Sequence, residues 1–370
     1  PGLAFFYGGM VKAKSVVSMM MLSFGSLGLI AVLWVLYGYA IAFSNGGTGT
    51  FLGIDGWFGI DTSFLGLTAQ VADAAKPAGA FPSMAFVAFQ ATFAIITVAL
   101  ISGAIADRAK FGAWMIFAAV WATVVYFPVA NWVFNFTFDK GKVVDGGWIV
   151  NNLGAIDFAG GTAVHINAGA AGLALAIVLG KRFGFSKGIT QPHNVPLTLL
   201  GTALLWFGWF GFNAGSEVAA DGLASLAFIN TMAAPAAAML GWILIEKIKH
   251  GKATSIGAAS GAVAGLVAIT PACASLTPMW AMLLGLIAGI LCALAIDLKF
   301  ALGFDDSLDV VGIHLVGGIT GTLFIGIFGT GVGAAFGFGW EQFGKQAIGA
   351  GAVLLYSFVL SLVIGFIIEK

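Results

Sequence analysis

Long apolar runs, broken by short polar or glycine-bearing stretches, set the pattern of this chain. Measured against the roughly 20 residues a helix needs to cross a bilayer, they predict full spans at about 16–43, 83–105, 112–135, 158–180, 196–216, 223–245, 254–272, 278–298, 310–329 and 347–368. The apolar run from Pro1 to Met10 is too short to cross, and is read as the last half of a first helix ending at Lys12 and Lys14. Eleven elements follow, with no soluble domain between them: an all-α polytopic membrane protein, one unit over 1–370. The longest break, 44–82, is rich in Gly and Ala and has room for a short surface helix.

Composition strengthens this picture. Hydrophobic residues make up 60% of the chain and charged residues 9%, where soluble chains carry about 25% charged. Such a chain cannot coat itself in charge, so its main solvent is lipid. Zero net charge and the lack of a large Lys/Arg cluster give no footing for a nucleic-acid backbone. Cys273 and Cys292 lie in apolar stretches as small hydrophobes, and neither haem nor zinc spacing occurs. No cofactor or metal is expected, and no signal-peptide pattern opens the chain.

Lysine and arginine separate by alternate loops. One side collects Lys12, Lys14, Arg108, Lys110, Lys181, Arg182, Lys187, Lys247, Lys249, Lys252, Lys299 and Lys370; the other holds Lys76, Lys140, Lys142 and Lys345. The positive-inside rule makes the first side cytoplasmic, with the original N-terminus outside and the C-terminus inside. The outer loops keep Asp55, Asp61, Asp73, Asp139, Asp145, Glu217, Asp221 and Glu341. That acidic excess either draws small cations or only keeps the loops wet.

Glycines recur inside the spans at three- or four-residue spacing, which lets helices approach closely in lipid. Gly160, Gly161, Gly169 and Gly172 compare with Gly312, Gly317, Gly318 and Gly321 once Val164-His165-Ile166 is set over Ile313-His314-Leu315. The two stretches are five spans apart, so they run oppositely across the bilayer. This is the pattern of a five-plus-five inverted repeat, about 1–180 and 196–329 with a final helix at 347–368, whose site lies near the midplane.

Candidate chemistry sits in the same stretches. His193 and His250 fall in loops beside lysines, but His165 and His314 lie inside apolar helices, where a polar side chain needs a partner or a cavity. They either bridge helices structurally or meet on a pore axis, sharing a proton and offering a donor and an acceptor to a small polar molecule. Asp157 opens its helix eight residues before His165, and Asp309 precedes His314 by five; an N-cap is the plain role for each. Phe86, Phe89 and Phe93 share one helical face with Gln90 beside it. The segment Trp206 to Ser216 mixes aromatic faces that attract cations with a hydroxyl that accepts hydrogen bonds from them.

These blocks resemble the ammonium transporters of the Amt/Mep/Rh group. The stretch from Asp157 to Ala168, with Gly160-Gly161 and His165, is similar to the family's signature. Gly208 to Ser216, Asp305 to His314 and Pro1 to Gly9 match further family blocks in order. The resemblance implies a homotrimer of eleven-helix protomers, each with a narrow hydrophobic pore. In that pore His165 and His314 would be the twin histidines, with Trp209 lining it beside them. Phe93 and Phe212 would be a stacked phenyl gate, and Phe89, Phe134 and Ser216 an outer recruitment site supported by Asp157 and Gln90. Phe134 stands where the family often has Trp, so Trp132 or Trp148 is a possible substitute, and Asn135 to Asp145 looks like an insertion. The family's cytoplasmic tail, through which PII-type regulators act, does not follow Lys370.

The function expected is therefore transport, not enzymology. Ammonium recruited outside would lose a proton, and ammonia would pass the histidines of a multi-pass protein in a cell's inner (plasma) membrane. The rivals are an ammonium sensor with a transporter-like core, a bis-histidine b-type haem protein and an ion-coupled solute carrier.

Overall fold

A computed structural model describes residues 1–44, 57–74, 82–139, 142–185 and 191–369, with backbone alone for 72–74, 137–139 and 142–145. Asp55, Lys76, Lys140, Lys187 and Lys370 lie outside the described residues.

Nine described helices are long and apolar enough to cross a membrane. In chain order, with three shorter helices among them, α1 is Gly2–Met10 and α2 is Ala13–Ala42. The surface helix α3 is Thr68–Ala74. Next come α4 (Ser83–Ile105), α5 (Phe111–Phe134), α6 (Gly161–Val178), α7 (Val195–Glu217), α8 (Gly222–His250), α9 (Ser255–Ile269), α10 (Pro278–Leu302), α11 (Val311–Phe328) and α12 (Glu341–Glu369). The membrane elements thus match the expected eleven, and the protein is a multi-pass, all-α membrane protein. α12 starts six residues before its predicted position, because Glu341 pairs with Lys345 one turn on and extends the helix into water. The expected insertion folds as an antiparallel ribbon of β1 (Phe136–Asp139) and β2 (Lys142–Gly146).

Loops from alternate helix pairs meet at one face. Arg108 between α4 and α5 donates to the carbonyls of Gly180, after α6, and Asp305, after α10. Arg182 donates a two-pronged pair to the fully buried Asp305 carboxylate at 2.8 and 2.9 Å. Burial alone would raise the Asp305 carboxyl, but the Arg182 contacts and the Arg108 charge outweigh it and hold it below its ordinary value. This basic face carries most of the described Lys and Arg. At the opposite face, the Phe158 amide donates to the Pro271 carbonyl and the Thr330 amide to Ser275.

Close helix crossings position the interior. A Cβ on Gly169 would lie 2.5 Å from the Leu315 amide nitrogen, and one on Gly318 would lie 3.0 Å from the Gly161 carbonyl oxygen and 3.1 Å from the His165 Cβ. α6 and α11 therefore touch backbone to backbone where each carries its histidine.

Candidate functional site

His165 and His314 each sit in a π-helical turn, Gly161–Ile166 and Val311–Leu315, that opens its helix. The widened turn is visible in the His165 amide, which donates to the Gly160 carbonyl five residues back at 3.1 Å. Gly160 has φ +109°, a left-handed value that ends the preceding loop and lets the turn begin. The helix therefore starts at Gly161 and not beside Asp157, whose carboxylate reaches across the three intervening residues. It accepts from the amides of Gly160, Gly161 and Thr162 at 2.6–2.8 Å, and from the Thr162 hydroxyl. The capping function is real, but it is spread over several donors at once.

The second turn is capped by the residue in the equivalent place. Asp306 precedes His314 by eight residues, as Asp157 precedes His165, and its buried carboxylate accepts the Val311 amide at 2.7 Å. The cap expected of Asp309 thus falls to Asp306. Asp309 instead lies at φ +62° and pairs with Lys299. Counting back equally from the two histidines would have picked out Asp306.

Both imidazoles are buried, and their Nδ1 atoms are 3.2 Å apart, so one donates while the other accepts. Iron held between two imidazoles parts the ligating nitrogens by about 4 Å and needs a porphyrin-wide slot. Here the nitrogens touch directly, and the Trp209 ring stacks on His165 at 5.5 Å and 17°. This geometry does not fit an axial haem. Trp209 is held by its indole N–H, which donates to the Thr270 hydroxyl at 2.9 Å; no sequence pattern marked Thr270.

Above the pair, toward the face opposite the basic one, Phe93 and Phe212 stack with centroids 4.2 Å apart at 22°. Phe212 lies 6.3 Å from the His165 ring, so the phenyl pair adjoins the histidine pair. Phe89 and Phe134 meet Phe93 edge-on at 4.8 and 5.6 Å. Phe86 leaves the expected stripe and packs on Phe43 at 5.1 Å. A Cβ on Gly215 would lie 3.0 Å from the Phe89 ring. Ser216, next to Gly215, donates its hydroxyl to the Phe212 carbonyl, which leaves the oxygen free to accept. Gln90 is buried beside Phe89.

Ring contacts thus join Phe89, Phe134, Phe93, Phe212, His165, Trp209 and His314 in one run, with Ser216 bonded to the Phe212 carbonyl. The family model described as Ammonium Transporter Family matches residues 1–370. The chain belongs to that family. It is 55% identical over 388 residues to the ammonium transporter of Mycobacterium tuberculosis, covering 100% of this chain and 81% of the relative. It is 45% identical to the ammonium transporter of Bacillus subtilis, covering 98% and 86%. Among solved structures it is similar to Candida albicans Mep2, at 34% identity and TM-score 0.86, covering 98% of this chain and 79% of that one. It is also similar to a protein described as a sensor Amt protein, at 29% identity and TM-score 0.87, covering 100% and 89%.

For this member of the ammonium transporter family, the aromatic beside Phe93 is Phe134. Trp132 packs instead on Trp57 at 5.3 Å and Tyr356 at 4.7 Å, and donates its indole N–H to the Trp57 carbonyl. Trp148 lies 5.8 Å from Trp132, in the same cluster. Neither indole reaches the Phe89–Phe93–Ser216 group, because both are held on the α12 side of α5.

Proposed function

We propose that the protein transports ammonium across a membrane by taking up the ion, removing its proton and passing neutral ammonia. The observation that carries this reading is the closed stack of Phe93 and Phe212 over the His165–His314 pair. A phenyl stack and two imidazoles in direct contact offer nothing to replace the hydration shell of a charged ion, whose desolvation costs many kcal/mol. Removing the proton near neutral pH costs roughly two pK units, about 3 kcal/mol. The neutral route is the cheaper one.

Each residue takes a role from its geometry. Phe89 and Phe134 present aromatic surfaces to the cation, and the free lone pairs of Ser216 accept from its N–H groups. Asp157 supports this outer site through the turn it caps: Gly160, bonded to its carboxylate, is near enough to the Phe134 ring that an added Cβ would lie 3.3 Å from it. Gln90 is a further buried polar group beside the same site. The ion loses its proton at the gate formed by Phe93 and Phe212. Ammonia then exchanges hydrogen bonds along His165 and His314, with Trp209 as a wall. Potassium has no proton to give up and is rejected. The proton either stays outside, making a neutral channel, or follows the histidine pair, making an electrogenic transporter.

In this reading the chain is one transmembrane unit, with inverted halves of about 1–180 and 196–329 followed by the final helix. The matching acids, π-helical turns and histidines support the repeat. The basic face is cytoplasmic by the positive-inside rule, in the inner (plasma) membrane. The protomers form a homotrimer with one pore each, and a PII-type regulator acts through a cytoplasmic tail. The likeness to a sensor Amt protein supports a second reading, an ammonium sensor with the same core.

Pulses of ammonium and of potassium on proteoliposomes, reading current and lumenal pH, test the proposal. A saturable current with ammonium alone supports the electrogenic form, and a lumenal pH rise without current supports the neutral one. Silence in both readouts overturns transport and favours the sensor.

A further inference from the structure

We infer that Gln346, on the last helix, is the positioning residue that holds the Asp157 turn, and through it the outer ammonium site, in register. This rests on the reading that Asp157 supports that site. Gln346 touches neither the phenyl stack nor the histidines. It is fully buried on α12, and its amide is saturated. Its Oε1 accepts the Ile156 amide at 2.6 Å, while its Nε2 donates to the Ile156 carbonyl at 2.7 Å and to the Thr322 carbonyl at 3.1 Å. Gln342, one turn earlier, donates to Gln346 Oε1 at 3.0 Å and to the Gly154 carbonyl at 3.1 Å. A flipped Gln346 amide would set donor against donor at Ile156 and acceptor against acceptor at both carbonyls, so only this orientation fits.

The consequence is local and directed. Ile156 is clamped through both of its backbone groups to α12, and the Phe158 amide is tied to the Pro271 carbonyl at the end of α9. Asp157 therefore sits between two fixed residues, held by two different helices. Its carboxylate carries the Gly160 amide, a Cβ on Gly160 would lie 3.3 Å from the Phe134 ring, and the Gly160 carbonyl accepts the His165 amide. The third Gln346 bond, to Thr322 on α11, ties the clamp to the helix that bears His314. One glutamine thus links the turn over the outer site to both histidine helices. Irregular backbone at membrane depth is tolerated only where its polar groups are satisfied by protein, and here a side chain of a distant helix supplies the partners.

The test compares Gln346→Leu, Gln342→Leu and Asp157→Ala in the full chain, as initial ammonium uptake by proteoliposomes over a range of concentrations. Losing all four hydrogen bonds of the Gln346 amide should raise the half-saturating ammonium concentration about tenfold in Gln346→Leu, with the maximal rate per folded protein changed by less than about twofold. Gln342→Leu, which loses the outer strut only, should raise it about twofold to threefold. A lowered maximal rate with unchanged half-saturation in Gln346→Leu would mean a merely structural role and would overturn the inference. Wild-type half-saturation in Gln346→Leu, beside a raised value in Asp157→Ala, would also overturn it while leaving the Asp157 reading intact. Wild-type half-saturation in Asp157→Ala would instead sink that reading. Should Gln346→Leu fail to fold, Gln342→Leu decides: an unchanged value counts against the clamp.

Discussion

The Nδ1 atoms of His165 and His314 lie 3.2 Å apart, on helices that run oppositely through the membrane and whose backbones touch at Gly318. One proton lies between the two rings, and each fixes the other's tautomer.

Replacing both histidines with Ala should therefore abolish ammonium flux or its selectivity over potassium. The double variant removes both partners together and so strands neither ring without a hydrogen bond. Wild-type rate and selectivity in proteoliposomes would remove the pair from the pore.

The phenyl stack makes a steric prediction. Phe212→Ala deletes a ring stacked at 4.2 Å on Phe93 and should open the compartment to methylammonium and larger alkylamines. As Phe212 is only half-buried, the fold should survive, at a cost of no more than about 3 kcal/mol. Competition by alkylamines unchanged from wild type would argue against a gate at this position.

Helix proximity is testable without touching the histidines. Gly318→Leu would drive a branched side chain into the Gly161 carbonyl and the His165 Cβ, parting the two helices. Transport should fall at least about tenfold, since misplacement of about 1 Å costs on the order of a hundredfold in a preorganised site. Gly351→Ala, where nothing lies within 4 Å, should transport as wild type. Equal effects in the two variants would dismiss close packing as the cause.

At the basic face the prediction concerns stability and pH. The folded Asp305 carboxyl titrates below its ordinary value of 3.8, so its ion pairs stabilise the protein fully above that pH. The contribution is lost as pH falls through the lower, folded value. Asp305→Asn leaves Arg182 without its buried partner and should cost about 3–5 kcal/mol near pH 7. Thermal unfolding in detergent from pH 7 down to pH 3 would show the margin over the variant narrowing only below about pH 4. A margin independent of pH would mean that the carboxylate charge is not what stabilises this face.

Much of the architecture was legible along the chain, because a bilayer imposes a length and a polarity on every span. Those demands are local: α4 occupies Ser83–Ile105 as the apolar run predicts, and α7 and α11 begin within a residue of their expected starts. The site residues were legible for a related reason, since a histidine inside an apolar run is costly enough to be noticed. Contacts between loops and helices were not legible. Asp157 has the composition of a simple cap, and only the left-handed Gly160 reveals that it reaches over four residues to several donors. The indoles of Trp132 and Trp148 looked interchangeable with Phe134 until packing turned them toward Tyr356.

By itself, the sequence determined that the chain lives in lipid, how many times it crosses, and which polar groups it buries there at a cost. Those properties follow from hydrophobic transfer, which sums over neighbouring residues and needs no partner. The fold alone decided that His165 and His314 share a proton, that Phe212 covers Phe93, and that Gln346 takes up both backbone groups of Ile156, 190 positions away in the chain. Hydrogen bonds and ring stacking act over a few ångströms, so they exist only after helices distant in sequence have been brought together by their glycine crossings.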